Sequence, residues 1–124
     1  MIILITGDRK WKNRPKMAKE LYKRRKKVKL LIHGGAAGAD LMAEDYAQLL
    51  GIQTAEFAAN WNFYKRAAGP IRNFNQLKFA IAAARTLKEQ LLVLAFHSNL
   101  KKSKGTRNMV EQARKRKVLV KIIK

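Results

Sequence analysis

Val28-Lys29-Leu30-Leu31-Ile32-His33-Gly34-Gly35-Ala36-Ala37-Gly38-Ala39-Asp40 is the stretch that decides the fold. Its apolar run breaks at Gly34-Gly35, and Leu41, Met42, Tyr46, Ala47, Leu49 and Leu50 then recur at helical spacing as far as Gly51. The short run predicts a strand, and the periodic stretch predicts an amphipathic helix stopped by glycine. Strand, glycine-rich turn and helix together form the repeating unit of an α/β sheet.

The same unit appears on either side. Residues 1–6 are apolar and β-branched and end at Gly7, which predicts a strand buried on both faces. Asn13 and Pro15 signal the next helix, with Met17, Ala18, Leu21 and Tyr22 as its apolar stripe. Downstream, residues 52–57 predict a weaker strand. Residues 58–72, which hold Trp61, Phe63, Tyr64, Gly69 and Pro70, predict a long ordered loop. A helix over 73–87 turns Phe74, Leu77, Ala80, Ile81 and Ala84 inward, and 91–96 is the most hydrophobic strand. A polar loop, a helix over 106–117 and a strand over 118–123 follow. The βαβαβαβαβ alternation implies a Rossmann-like three-layer sandwich of about five mostly parallel strands with helices on both faces.

With 124 residues and 48% hydrophobic content, the chain is expected to form one domain over residues 1–124. No run approaches the roughly 18 apolar residues of a membrane span, and the apolar opening is too short for a signal peptide. The expectation is a soluble cytoplasmic protein with no membrane partner. Cysteine is absent and there are two histidines, so no metal site is expected. The 28 Lys+Arg against 8 Asp+Glu give a net charge of +20, which favours polyanionic partners. Residues 9–29 hold 12 basic side chains and one acid, and residues 101–124 hold 10 and one; residues 30–100 are nearly balanced, with 6 and 5.

Ligands of such sheets bind outside the carboxyl ends of the strands, near the reversal of winding. Three strand-to-helix loops there carry glycine: Thr6-Gly7-Asp8-Arg9, His33-Gly34-Gly35-Ala36-Ala37-Gly38-Ala39-Asp40, and Ser103-Lys104-Gly105-Thr106. Glycine lets backbone N–H groups approach an anion, and a helix start adds partial positive charge, so a phosphate-bearing guest is expected. Neither G-x-x-x-x-G-K-[ST] nor a full G-x-G-x-x-G is present, which argues against a P-loop NTPase and a standard dinucleotide-binding dehydrogenase.

Thr6-Gly7-x-Arg9, His33-Gly34-Gly35-Ala36-x-Gly38-Ala39-Asp40 and Arg66-Ala67-Ala68-Gly69-Pro70-Ile71-Arg72-Asn73 resemble the SLOG superfamily, which groups DprA (Smf) with the Lonely-Guy enzymes. The chain is most similar to small stand-alone bacterial and phage members, which share Ala59-x-Trp61, Arg72-Asn73 and Ser103-Lys104-Gly105-Thr106. The resemblance implies a nucleotide-type pocket, a bacterial or phage-infected cell, and pairing of sheets into a homodimer or tetramer. The Lonely-Guy motif Pro-Gly-Gly-x-Gly-Thr-x-x-Glu is not kept, and Met109 occupies its glutamate position. Glu111 lies two residues on, about 200° around a helix. Smaller departures are Ala37 where arginine is common, Asn60 for aspartate and Lys65 for glycine.

Each candidate residue has a bland alternative. Arg9 and Arg72 are expected to grip phosphate, the alternative being an ion pair with Asp8 or Asp40. Asp40 fits a ribose hydroxyl or a helix dipole, and Asn73 fits a ligand or an N-cap. Ser103, Lys104, Gly105 and Thr106 fit an anion or a plain helix start. Trp61, Phe63 and Tyr64 either stack on a base or, by the commoner use of loop aromatics, pin the loop to the core. His33 and His97 are read as packing or backbone-bonded, although His33 falls within the loop set. Arg66 and Gly69 join the set through the Ala67–Asn73 run.

Basic runs 23–29 and 114–117 fall at the opposite sheet edge, where they either solubilise the chain or offer a second, nonspecific nucleic-acid surface. Three functions compete. The first is non-catalytic sensing or sequestration of a nucleotide derivative, such as an ADP-ribose-like or cyclic-nucleotide signal, with no certain cofactor. The second is DprA-like binding of single-stranded DNA or other nucleic acid. The third is a nucleoside monophosphate phosphoribohydrolase-type enzyme.

Overall fold

The computed structural model describes all residues, Met1–Lys124. Five strands, β1 (Ile2–Gly7), β2 (Leu30–His33), β3 (Thr54–Glu56), β4 (Leu91–Phe96) and β5 (Leu119–Ile123), form one sheet in the order β3-β2-β1-β4-β5. Every pairing is parallel. β1 lies at the centre and Ile2, Ile3, Leu4 and Ile5 are buried, as expected of a strand covered on both faces. The winding reverses between β1 and β4, where Ile2 pairs with Leu91 and Gly7 with Phe96. This is the Rossmann-like α/β arrangement.

Helices α1 (Arg14–Tyr22) and α2 (Ala39–Leu49) cover one face through Met17, Leu21, Met42, Ala43 and Ala47, against Ile3, Ile5, Leu94 and Phe96. Helices α4 (Ala68–Leu87) and α5 (Gly105–Lys115) cover the other through Leu77, Ala80, Ala84, Met109 and Ala113, against Ile2, Leu4, Ile32 and Val93. Asn13 caps α1, its Oδ1 accepting the Lys16 N–H at 3.1 Å, and Pro15 sits in the first turn where its missing donor costs nothing.

Several expectations are corrected. Residues 58–72 are largely helical: α3 spans Trp61–Tyr64, a 3₁₀ turn spans Lys65–Ala67, and α4 begins at Ala68, five residues before the expected start. Pro70 is the third residue of α4, a position without an intrahelical N–H bond, so it does not break the helix. Tyr22, Leu41, Leu49 and Phe74 point to solvent instead of joining the apolar stripes. Each stands at the margin of its stripe, beyond the reach of the sheet. No helix is long and apolar enough to cross a membrane.

Candidate functional site

The loops after β1, β2 and β4 meet at the carboxyl edge of the sheet, together with the start of α4. The first two interlock. Ala39 N donates to the Asp8 carbonyl at 3.1 Å, and a Cβ on Gly38 would stand 2.3 Å from Asp8 O and 2.4 Å from Arg9 O. Gly38 also has φ +79, so only glycine fits here without strain. Gly7 is equally confined: a Cβ there would stand 2.6 Å from the Ala39 Cβ and 2.7 Å from Phe96 O. Asp8 shapes its own turn, its Oδ1 accepting Lys10 N at 2.9 Å.

The donors of the β2 loop turn inward, contrary to the expected phosphate cradle. Gly34 N and Ala36 N donate to Asp40 Oδ2 at 3.0 and 3.3 Å, and Gly35 N donates to His33 Nδ1 at 3.0 Å. Asp40 thereby supplies from inside the chain the negative charge that a helix start favours. Its Oδ1 is buried without a partner. Burial pushes the Asp40 carboxyl above its ordinary value, against the opposing pull of the Ala36 N–H, Arg72 and the Gly34 N–H. His33 is wholly buried, and because Nδ1 accepts, its proton sits on Nε2 and faces Glu44 Oε1 at 2.9 Å. Both ring nitrogens are engaged, which corrects its place among ligand contacts. His97 repeats the device, with Nδ1 accepting Asn99 N at 2.9 Å.

Arg72 and Asn73 join the loops across the site. Arg72 Nη1 donates to Gly34 O at 2.9 Å and Phe57 O at 3.4 Å, and Nε donates to Asn73 Oδ1 at 3.0 Å. Its Nη2 is left without a protein acceptor. Asn73 is buried in the second turn of α4, so it cannot be an N-cap. Its Nδ2 donates to Gly105 O and Asn108 Oδ1, both at 3.1 Å. Its amide is committed to tying α4 to α5, and this corrects its reading as a free ligand contact.

Arg9 is exposed, and its guanidinium lies 5.4 Å from the Trp61 ring centroid. Burial lowers the Arg72 value; nearby Asp40 raises it again, and the positive charge of Arg9 lowers it. The charge of Arg9 is thus felt at Arg72, though less strongly than that of Asp40. Neither arginine makes an ion pair with Asp8 or Asp40. Trp61, Phe63 and Tyr64 are 47%, 73% and 42% exposed, so they do not pin this segment to the core. Arg66 is exposed, and Gly69 is buried with its missing Cβ 3.5 Å from Trp61, a distance that would admit a side chain.

At the start of α5, Ser103 Oγ accepts Thr106 N at 3.0 Å and Thr106 is buried, which gives both residues a structural use. Lys104 and Gly105 are exposed, and open space lies where a Gly105 Cβ would stand. Beside the β1 loop a cleft of about 340 Å³ is lined by Arg9, Lys10, Lys12 and Arg14 opposite Leu41, Met42 and Asp45 of α2. Sequence reasoning missed the acidic and apolar wall of this cleft, because Leu41 was assigned to the core. No three His, Cys, Asp or Glu side chains gather as a metal site would require.

The family described as YAcAr: YspA, cpYpsA-related SLOG family matches residues 1–64 of this chain, just over half of its 124. The chain belongs to that SLOG family. The matched region contains the β1 and β2 loops, Arg9 and Asp40. Gene 61 protein of Mycobacterium phage D29 is 30% identical over 122 residues, covering 91% of this chain and 88% of the phage protein. In fold, this SLOG chain is similar to the DNA processing protein A (DprA) of Streptococcus pneumoniae, with a TM-score of 0.53 at 14% identity. That match covers 96% of this chain, which spans 57% of the DprA chain.

Proposed function

We propose that this chain binds, without transforming it, a nucleotide-derived ligand bearing more than one phosphate, at the carboxyl edge of the sheet. The observation that carries the reading is that two guanidinium groups at this edge, Arg72 held in place by its neighbours and Arg9 beside Trp61, are bonded to no carboxylate, which leaves both open to phosphate oxygens. Arg72 is oriented by Gly34, Phe57 and Asn73 and presents its free Nη2, while exposed Trp61 offers a face to a base. Lys104 and the open start of α5 add positive potential, in place of the inward-turned donors of the β2 loop.

A binding role without hydrolysis is supported by Met109, which is wholly buried where the Lonely-Guy motif has its glutamate, and by Glu111, which lies 3.8 Å from Arg107 on the exposed side of α5. A second reading, capture of a single nucleic-acid strand at the same edge, is favoured by the three exposed aromatics of α3.

The test is mass spectrometry of small molecules released by denaturing protein washed in high salt, followed by thermal-shift measurements with a nucleotide panel. A stoichiometric nucleotide derivative, lost in Arg9→Ala, is expected; Arg9 suits the test because its side chain makes no hydrogen bond or ion pair within the chain. An empty pocket and no shift with any nucleotide would overturn the reading in favour of the strand.

A further inference from the structure

The edge of the sheet opposite Arg9 and Arg72 carries its own organised charge. Three helices end there on a residue in the left-handed region: Gly51 after α2 (φ +71), Lys88 after α4 (φ 54) and Lys117 after α5 (φ 58). Glycine takes this conformation freely, whereas a side chain costs about 1 kcal/mol or more. Two of the three positions nonetheless hold lysine. Attraction to the helix C-termini does not account for both, because Arg85 on α4 and Arg114 and Lys115 on α5 already fill the last turns.

Lys88 and Lys117 line one cleft of about 440 Å³ between the end of α4 and the start of β5, together with Arg85 and the apolar surface of Ile81 and Val118. Strand order sets what lies beside them. Lys29 precedes β2, Lys88 precedes β4 and Lys117 precedes β5, so the three lysines stand along one sheet edge that spans about 14 Å from β2 to β5. Glu89 is the acid within this row, and its single charge is shared by the N-terminal ammonium at 2.5 Å and Lys29 at 3.0 Å, so the row stays positive. The exposed Lys26 and Lys27 extend the row towards α1.

We propose that this edge is a second binding site, independent of the nucleotide site, that holds the phosphate backbone of a nucleic-acid strand without reading its bases. A linear array of cations matches a linear array of phosphates. Leu87 and Leu119 are the exposed large apolar side chains beside these lysines, too few for an inserting surface, so charge is what the edge offers and a strand is favoured over a bilayer.

The left-handed backbone permits an unusually clean test, because Lys88→Gly with Lys117→Gly removes both charges while relieving both backbones. Binding of a fluorescent 20-nucleotide oligothymidylate is measured across a salt series, with the thermal midpoint of each variant. The double variant is expected to bind more weakly, with the slope of log K against log salt reduced by about 1.4 and the midpoint unchanged or raised. Lys88→Arg with Lys117→Arg is expected to keep the wild-type slope. Arg9→Ala is expected to leave this binding intact, which separates its failure from failure of the nucleotide reading. Wild-type affinity and slope in the double glycine variant would overturn the proposal. So would binding to phosphatidylserine vesicles but not to the oligonucleotide.

Discussion

A Cβ on Gly34 would stand 2.1 Å from Arg72 Nη1 and 3.1 Å from Asp40 Oδ2. The absence of a side chain at this one position lets a guanidinium from α4 reach the carbonyl at the end of β2. Gly34→Ala must move Arg72 and break its bonds to Gly34 and Phe57, leaving a partly buried charge underpaired. A loss of about 2 kcal/mol is expected in urea unfolding, together with loss of nucleotide-induced thermal shift. Wild-type stability and ligand response would show that Arg72 is not held as described.

Glu20 is buried among Lys121, Lys23 and Arg24, with contacts of 2.8, 2.6 and 3.3 Å. Burial alone would raise its carboxyl, yet the hydrogen bonds from these three cations outweigh that and hold it at about 2 instead of 4.5. A depressed acid contributes stability that is complete above its unfolded value and is lost as pH falls towards its folded one. Stability is therefore expected to drop between about pH 5 and pH 2, by about 2 kcal/mol from this residue after allowing for solvent around the lysines. Urea unfolding at pH 7, 4 and 2.5 measures this. Glu20→Gln should be weaker at pH 7 and flatter in acid, and an unchanged slope would assign the acid sensitivity elsewhere.

The central architecture was legible because it is written in local periodicity. Residues 91–96 were assigned as a strand with the bounds that β4 has, and Asn13, read as a signal of the next helix, is the cap of α1. Helical margins were less legible: Leu41, Leu49 and Phe74 share the spacing of core residues, and spacing does not show how wide a stripe the sheet covers. Gly69-Pro70 read as a break because the sequence does not reveal that these residues lie in a helix's first turn. The sequence named the loops that meet at this edge, but not the partners of their side chains. Nothing local tells that Arg72 reaches Gly34, 38 residues away, or that Asp40 takes the N–H groups reserved for phosphate.

Lys65 has φ 54 and ψ −125 between α3 and the 3₁₀ turn, a conformation that favours glycine. A side chain is strained in that region by about 1 kcal/mol or more. Lys65→Gly is expected to raise the thermal midpoint, by an amount equivalent to about 1 kcal/mol, read by calorimetry. Destabilisation would mean that the Lys65 side chain makes contacts that outweigh its backbone strain.

Met109 decides how far the resemblance to the Lonely-Guy motif extends to chemistry. Its side chain is wholly buried on the inner face of α5, in the cluster with Ile2, Leu4, Ile32 and Leu77. A glutamate introduced there enters an apolar layer without a cation to meet it. Met109→Glu is therefore expected to lose about 3 kcal/mol or more, or to fail to fold, and to release no free base from nucleoside monophosphates. Met109→Leu, which nearly conserves volume, should cost less than about 1.5 kcal/mol and serves as the folded control. Unfolding curves and a base-release assay on both variants separate the alternatives. A stable Met109→Glu protein that released base would show that this position turns towards the ligand, and the core assignment of α5 would have to be abandoned.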